Sequence, residues 1–267
     1  MASALHQLYS DFPLIEDNEF SDFHLDVRRV LPLSRGFRPH AVIRQRGRFE
    51  TPPFLIDQTA AQFEWALNRC VYSQFFPRLL IHGGVLEQNG EALVIVGESG
   101  AGKSTLSAAL CLNGWRLLSD ELTIISPEDG LLTGLARPVA LKNEAIQLIS
   151  TLSKDAHIGP VSRGTIKGDV AHMRPPPTSV SFVGQPARPA CFVSIRYEPD
   201  STLRVHEVPK ARAFMDLAQN AALNYRSLGE AGFNTLSRAV DSAICYDIHY
   251  SDIHEAIDYF CAGNWKS

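Results

Sequence analysis

The chain is poor in the residue types that staple, anchor or broadly charge a protein. Its five cysteines (Cys70, Cys111, Cys191, Cys245 and Cys261) are scattered and odd in number. None forms a C-x-x-C pair, so neither a zinc knuckle nor a disulfide framework is indicated. The expectation is reduced core thiols in a cytoplasmic protein. No apolar run is long enough to span a bilayer. Met1 to Ser10 lacks the basic and apolar regions of a signal peptide, so no membrane partner is expected. A basic excess is also missing: 25 Lys+Arg against 29 Asp+Glu leave a net charge of -4. That balance argues against nucleic acid as a partner. Internal repeats and low-complexity tracts are absent. What remains is ordinary for a globular protein, with 45% hydrophobic and 20% charged residues. The length, 267 residues, suits one large or two modest domains with a buried core.

One stretch organises the rest. Gly97-Glu98-Ser99-Gly100-Ala101-Gly102-Lys103-Ser104 fits G-x-x-x-x-G-K-[ST], and Thr105 follows. Before it, Ala92 to Val96 is a short continuous apolar run, as a strand buried on both faces should be. After it, Ser104 to Leu112 is rich in Ala and Leu and predicts a helix, which Asn113-Gly114 stops. A chance glycine turn before a helix would look similar, but strand, loop and helix stand in the order that a phosphate-binding loop needs. Glycines at 97, 100 and 102 let the backbone approach a polyphosphate. Loop amides and the helix N-terminus then face the anion. Lys103 can reach the terminal phosphates, and the Ser104 hydroxyl can join a Mg²⁺ shell.

Around the loop the pattern predicts an α/β chain. Residues 20–30 alternate and read as a strand, and His40 to Arg44 as another. The basic cluster Arg44, Arg46 and Arg48 reads as a solvated strand face. Gln58 to Tyr72 reads as a helix burying Phe63, Ala66, Leu67 and Cys70. Leu79 to Glu87 reads as one strand, turned by Asn89-Gly90 into the strand before the loop. His82, within it, reads on its residues alone as a structural histidine. Trp115 to Ser119 is an apolar strand ending in Asp120-Glu121. An acid at the end of a strand beside such a loop commonly approaches the metal or takes a hydroxyl proton. Further strands are expected at Thr123 to Ser126, Cys191 to Tyr197 and Cys245 to Tyr250. Helices are expected through Leu152, from Pro209 to Ala222, from Gly232 to Ile244, and after a Ser251 cap. Ser153 to Ser179 reads as a long loop. Its cations Arg163, Lys167 and Arg174 either cover the site or are merely solvated.

These blocks together resemble the HPr serine kinase catalytic domain: Ile81-His82-Gly83, the loop through Thr105, and Gly114-Trp115-Arg116-Leu117-Leu118-Ser119-Asp120-Glu121. Four more blocks are similar to the branch called HPr kinase-related kinase A. They are Glu64 to Asn68, Ala136 to Asn143, Gly164 to His172, and Asn224-Tyr225 with Gly232-Phe233. The pattern departs from true HPr kinases in having Asp120-Glu121 for Asp-Asp, and Leu141-Lys142-Asn143-Glu144 where they carry an E-I-R-G-type segment.

The resemblance implies a P-loop kinase of the HPr kinase and phosphoenolpyruvate carboxykinase type. It would have a mixed central sheet with flanking helices in residues 76–267, and a small β-rich accessory region in residues 1–75. The expected activity is ATP- and Mg²⁺-dependent transfer of the γ-phosphoryl group to a hydroxyl, foremost serine, of a peptide, protein or small molecule. Gly97 to Thr105 would hold the nucleotide, Ser104 and Asp120 the metal. Lys103, Asp120, Glu121 and His82 would form the catalytic group, with His82 orienting Asp120. Arg137, Lys142, Glu144, Arg163 and Lys167 are weaker candidates. System partners implied are a PqqD-like protein and a nucleotidyltransferase, and homo-oligomerisation stays open. The alternative is a nucleotide-dependent switch that hydrolyses ATP slowly and has no acceptor.

Overall fold

The computed structural model describes residues 2–14, 20–30, 38–45, 47–74 and 77–266. Arg46 and the expected domain boundary at residues 75 and 76 lie outside the described residues. The chain opens with a helix that the polar N-terminal composition did not suggest, α1 (Ala2–Tyr9). Strands β1 (Leu25–Val30), β2 (His40–Gln45), β3 (Phe49–Glu50) and β4 (Phe54–Leu55) form a small antiparallel sheet around β2. Arg44 and Arg48 are exposed there, as the solvated-face reading expects. Helix α2 (Thr59–Gln74) covers this sheet, with Ala66 packed against Ala41, Ile43 and Phe54.

The run from Leu79 onward is two strands, not one. β5 (Leu79–His82) and β6 (Gly84–Gln88) part at Gly83 and join different sheets. A Cβ on Gly83 would stand 2.7 Å from the Ile95 carbonyl oxygen, and one on Gly84 2.6 Å from Ser107 Oγ. Only glycines can cross between the sheets this close to their neighbours. β6 then turns at Asn89-Gly90 into antiparallel β7 (Glu91–Val96), as expected.

From the glycine loop springs α3 (Lys103–Leu112), followed by β8 (Arg116–Ser119) and β9 (Leu122–Ile125). β10 (Leu132–Thr133) and β9 complete a three-stranded sheet with β5. β11 (Val139–Lys142) leads into α4 (Glu144–Leu152). The segment expected as a long loop instead holds β12 (Ser162–Thr165), β13 (Gly168–Met173) and the short α5 (Pro177–Ser181). Its strands are short, glycine-bearing and charged at the tip, which hides their period. They pair with β11 in the order β11-β13-β12.

The largest sheet takes in β14 (Arg188–Tyr197) and β15 (Arg204–Glu207). After α6 (Lys210–Asn220), α7 (Tyr225–Leu228) and α8 (Glu230–Ser242) it also receives β16 (Ile244–Tyr250). Its order is β15-β16-β14-β7-β6-β8, with β14 parallel to both β7 and β16. The closing helix α9 (Ile253–Cys261) is capped by the Asp252 side chain, which accepts from His254 N. Ser251, the expected cap, instead donates its hydroxyl to the Ser201 carbonyl at 2.7 Å.

Residues alternate between the two faces of this sheet. Leu93, Ile95, Val193 and Ile248 pack under α3 and α9 with Phe260 and Trp265, whereas Val94 and Phe192 pack with Leu217, Leu236 and Ala239 of α6 and α8. Burial on both faces explains why Ala92 to Val96 is a continuous apolar run. The architecture is mixed α/β, with helices flanking a mixed sheet and a smaller β-rich N-terminal part.

Candidate functional site

The glycine loop joins the C-terminal end of β7 to the N-terminus of α3. Gly97, Gly100 and Gly102 have φ of 150°, 88° and 95°. At Gly102 a Cβ would stand 2.7 Å from the Tyr250 hydroxyl, and at Gly97 2.6 Å from the Ile195 oxygen. A side chain at either position meets both a strained φ and a clash. Glu98, Ser99 and Gly100 are exposed at the tip, while Ser104 and Thr105 are half-buried on the first turn of α3. Lys103 is buried, and its ammonium donates to the carbonyls of Gly97 at 2.8 Å and Glu98 at 3.0 Å. Burial lowers its pKa, opposed by the nearby charges of Glu121 and Asp120.

The two acids sit in the turn from β8 to β9. In an extended chain they would point to opposite sides. Here Leu122 N donates to Ser119 Oγ at 3.3 Å, and the turn brings Asp120 and Glu121 into one narrow cleft with Arg137 and His172. Asp120 is buried, and its Oδ2 accepts from Ala140 N at 3.0 Å. Oδ1 is buried without a hydrogen-bond partner of good geometry. Burial first, and the Glu121 charge second, push its carboxyl up to about 7. The hydrogen bond from Ala140 N, the nearby Ser104 hydroxyl and the Lys142 charge pull the other way. Ser104 and Asp120, expected together, are therefore neighbours.

His82 faces the other acid. Its Nδ1 lies 3.2 Å from the Glu121 carbonyl oxygen and 3.6 Å from Oε2 of the same residue. The expected hydrogen bond from His82 to Asp120 is thereby corrected: its Nδ1 meets Glu121. β5 pairs His82 with Leu122, so the residue just before Leu122 falls within the ring's reach. Burial lowers the imidazole pKa, with the Glu121 charge opposing.

Of the weaker candidates, Arg137 lies in the cleft. Its Nη1 is 3.5 Å from Oε2 of Glu64, and Nη2 donates to Asn68 Oδ1. Glu64 also accepts from the Tyr9 hydroxyl, which ties α1 to α2 and the cleft. Lys142, half-buried on β11, acts on Asp120 and Lys103 through its charge. Glu144 is exposed and does not line the cleft. Arg163 and Lys167 are exposed on the β12–β13 hairpin, where Lys167 Nζ stands 5.3 Å from the centre of the Trp65 ring. Arg174 is drawn away to Ser10 and Asp11.

The cleft residues Glu64 and His172, and Tyr9 behind Glu64, escaped the residue-by-residue reading. Glu64 is an acid on the buried stripe of α2, one turn after Ala60 and Ala61, and that misplaced charge was the available signal. Burial raises its pKa. His172 is buried on β13 with Nε2 lacking a partner, and burial, helped by Arg137, lowers it to about 4.

Among the described residues, no three His, Cys, Asp or Glu side chains cluster as a metal cage. One carboxylate, one hydroxyl and substrate oxygens form the kind of set that Mg²⁺ uses. The orphaned Oδ1 of Asp120, beside Ser104, fits that ion.

No family model matches the chain. Several curated proteins match it in part. The HPr kinase/phosphorylase of Lachnoclostridium phytofermentans is 36% identical over 86 residues, 32% of this chain and 28% of that protein. That of a Geobacillus species is 29% identical over 113 residues, 42% of this chain and 36% of the relative. That of Treponema pallidum is 31% identical over 98 residues, 36% of this chain and 31% of the relative. The matches span about a third of the length of these relatives. A solved structure, the Hpr(Ser) kinase/phosphatase from Coxiella burnetii, aligns at 13% identity and a TM-score of 0.27, covering 69% of this chain and 98% of that one. Over about a third of its length the chain is thus similar in sequence to HPr kinase/phosphorylases.

Proposed function

We propose that the chain is an ATP- and Mg²⁺-dependent kinase that transfers the γ-phosphoryl group to a hydroxyl, foremost a serine, of a peptide, protein or small molecule. The observation that carries this reading is the adjacency of the two halves of the site. Ser104, from the first turn after the glycine loop, is close enough to Asp120, from the β8–β9 turn, for its hydroxyl to act on that carboxyl. An acid beside the terminal phosphate suits transfer to an acceptor better than a switch does.

In this reading Gly97 to Thr105 bind the triphosphate through backbone amides, and Lys103 leaves its loop carbonyls to offset phosphate charge. Ser104 and Asp120 would hold Mg²⁺, which when bound neutralises charge on the phosphates. Asp120 orients the acceptor hydroxyl and takes its proton late. Glu121 assists, held by His82. Arg137, braced by Glu64 and Asn68, faces charge on the acceptor side of the cleft. Residues 1–75 act as an accessory region that braces this cleft through Tyr9 and Glu64, and residues 76–267 as the catalytic domain.

The relatives' name points to the protein HPr as an acceptor. Leu141-Lys142-Asn143-Glu144, in place of an E-I-R-G-type segment, favours a different one. A PqqD-like protein and a nucleotidyltransferase as system partners, and a cytoplasmic location, belong to the same proposal. Incubation with γ-labelled ATP, Mg²⁺ and the products of neighbouring genes tests it. Label on an acceptor supports the kinase reading; label found only in free phosphate supports the switch.

A further inference from the structure

The β12–β13 hairpin borders the acid cleft. His172, on β13, lines the cleft, and so does Trp65 of α2. Lys167, at the hairpin tip, holds its Nζ 5.3 Å from the centre of the Trp65 ring. Its charge also bears on the imidazole of His82, the neighbour of Glu121. The tip is braced from within and from the N-terminal part. Lys167 N donates to Thr165 Oγ1 at 3.1 Å, and that hydroxyl donates to the Gly168 carbonyl at 2.7 Å. The Gln58 amide, just before α2, donates to the Arg163 carbonyl at 2.9 Å.

What the tip presents is not what a turn needs. Turn positions favour Gly, Pro, Asn, Asp and Ser. Here the tip carries Ile166, which is 93% exposed and so adds nothing to the core. Arg163 and Lys167 flank it and are also exposed. Among the described residues, neither cation is in an ion pair. The acid of the hairpin, Asp169, instead turns Oδ1 to Gly164 N at 3.0 Å. Elsewhere on the surface, Arg28, Arg174 and Arg212 do find carboxylates. The chain as a whole has a net charge of -4. A positive tip on a negative chain directs an acidic partner to one place.

We propose that the hairpin tip docks the acceptor, an acidic segment of a peptide or protein. Its aliphatic side chain lies against Ile166 and Trp65, its carboxylates meet Lys167 and Arg163, and its hydroxyl is led into the cleft of Asp120 and Glu121. The inference rests on the kinase reading and adds the chemistry of the acceptor. A single exposed apolar side chain is ordinary on a protein surface. One fixed between two unpaired cations at the edge of a catalytic cleft has the make-up of an interface, an apolar centre with a charged rim. The same cations keep the acidic groups of the acceptor outside the cleft, where Asp120 and Glu121 would repel them.

Fluorescence anisotropy with two dye-labelled nonapeptides tests the surface. Both carry a central serine and a leucine; one is flanked by glutamates, the other by lysines. Wild type should bind the acidic peptide at least about tenfold tighter than the basic one. The double variant Arg163→Glu, Lys167→Glu should weaken the acidic peptide by about tenfold and strengthen the basic one. Ile166→Ser should weaken the acidic peptide by about fivefold, and Ile166→Val should keep it. All three side chains are exposed, and thermal unfolding checks that the fold is kept. Equal binding of the two peptides by wild type, a preference that survives the charge reversal, or wild-type binding by Ile166→Ser overturns the docking surface. Incubating the same peptides with γ-labelled ATP and Mg²⁺ separates it from the kinase reading. Label on both peptides alike overturns the docking surface and leaves the kinase reading standing. Tight binding of the acidic peptide with label only in free phosphate supports the surface and counts against the kinase reading.

Discussion

Nδ1 of His82 stands 3.6 Å from the carboxylate of Glu121 and 3.2 Å from its main-chain oxygen. The histidine therefore contacts the second acid of the pair, while the first is held separately by Ala140 N. His82→Ala should lower kcat by about 10²-fold, the scale of a displaced acid–base group, with nucleotide affinity little changed. Because the effect runs through Glu121, adding His82→Ala to Glu121→Gln should cost much less than the product of the two single losses. Multiplicative losses in a double-mutant cycle would show that His82 works without Glu121.

Lys103→Ala should abolish transfer and weaken triphosphate binding. The fold should survive, because Nζ donates to carbonyls of the loop itself, Gly97 and Glu98, and not to a distant element. Thermal unfolding and kinetics on the same preparation check both halves. Turnover at the wild-type rate would remove the loop from the account.

The Asp120 carboxyl makes the metal-free protein pH-sensitive in a stated direction. Its folded pKa is raised from 3.8 to about 7, so the folded state holds a proton that the unfolded chain has already lost. Stability from this group is complete below the unfolded value and is lost as pH rises through about 7. Asp120→Asn, which keeps an acceptor for Ala140 N, escapes that loss. Its advantage over wild type should grow by about 2–3 kcal/mol between pH 5 and pH 8 in urea unfolding. A gap that stays constant or shrinks would contradict the buried, charge-crowded setting described for Asp120.

His172 should act in the opposite sense. Its folded pKa is lowered from 6.5 to about 4, so its contribution is present above the unfolded value and lost as pH falls toward the folded one. Wild type should lose about 2 kcal/mol relative to His172→Asn between pH 7 and pH 5, by the same unfolding measurement. Equal pH slopes for the two proteins would mean that His172 is not held neutral in the cleft.

How legible each part was in the sequence follows from how local its causes are. The strand, glycine loop and helix at 91–112, and the Asn89-Gly90 turn, are set by neighbours in sequence and were readable as such. The break at Gly83 was not. Its cause is the Ile95 carbonyl and the Ser107 hydroxyl, brought near by tertiary packing, and the apolar run through it has no punctuation but glycine. Asp120 and Glu121 were legible as acids beside the loop. Their shared cleft depends on the Ser119 turn, which period-two reasoning misses. Glu64 and Tyr9 were hidden for another reason. Each belongs to a segment remote in sequence from the loop, and only the folded chain brings both to Arg137.

The central claim is that the acid beside the loop serves phosphoryl transfer to an acceptor. Label transfer from γ-labelled ATP, measured for wild type, Asp120→Asn and Glu121→Gln across a range of Mg²⁺ concentrations, tests it most directly. The account predicts that Asp120→Asn still binds ATP and transfers almost nothing, while Glu121→Gln is impaired less. An active Asp120→Asn beside a dead Glu121→Gln would contradict it.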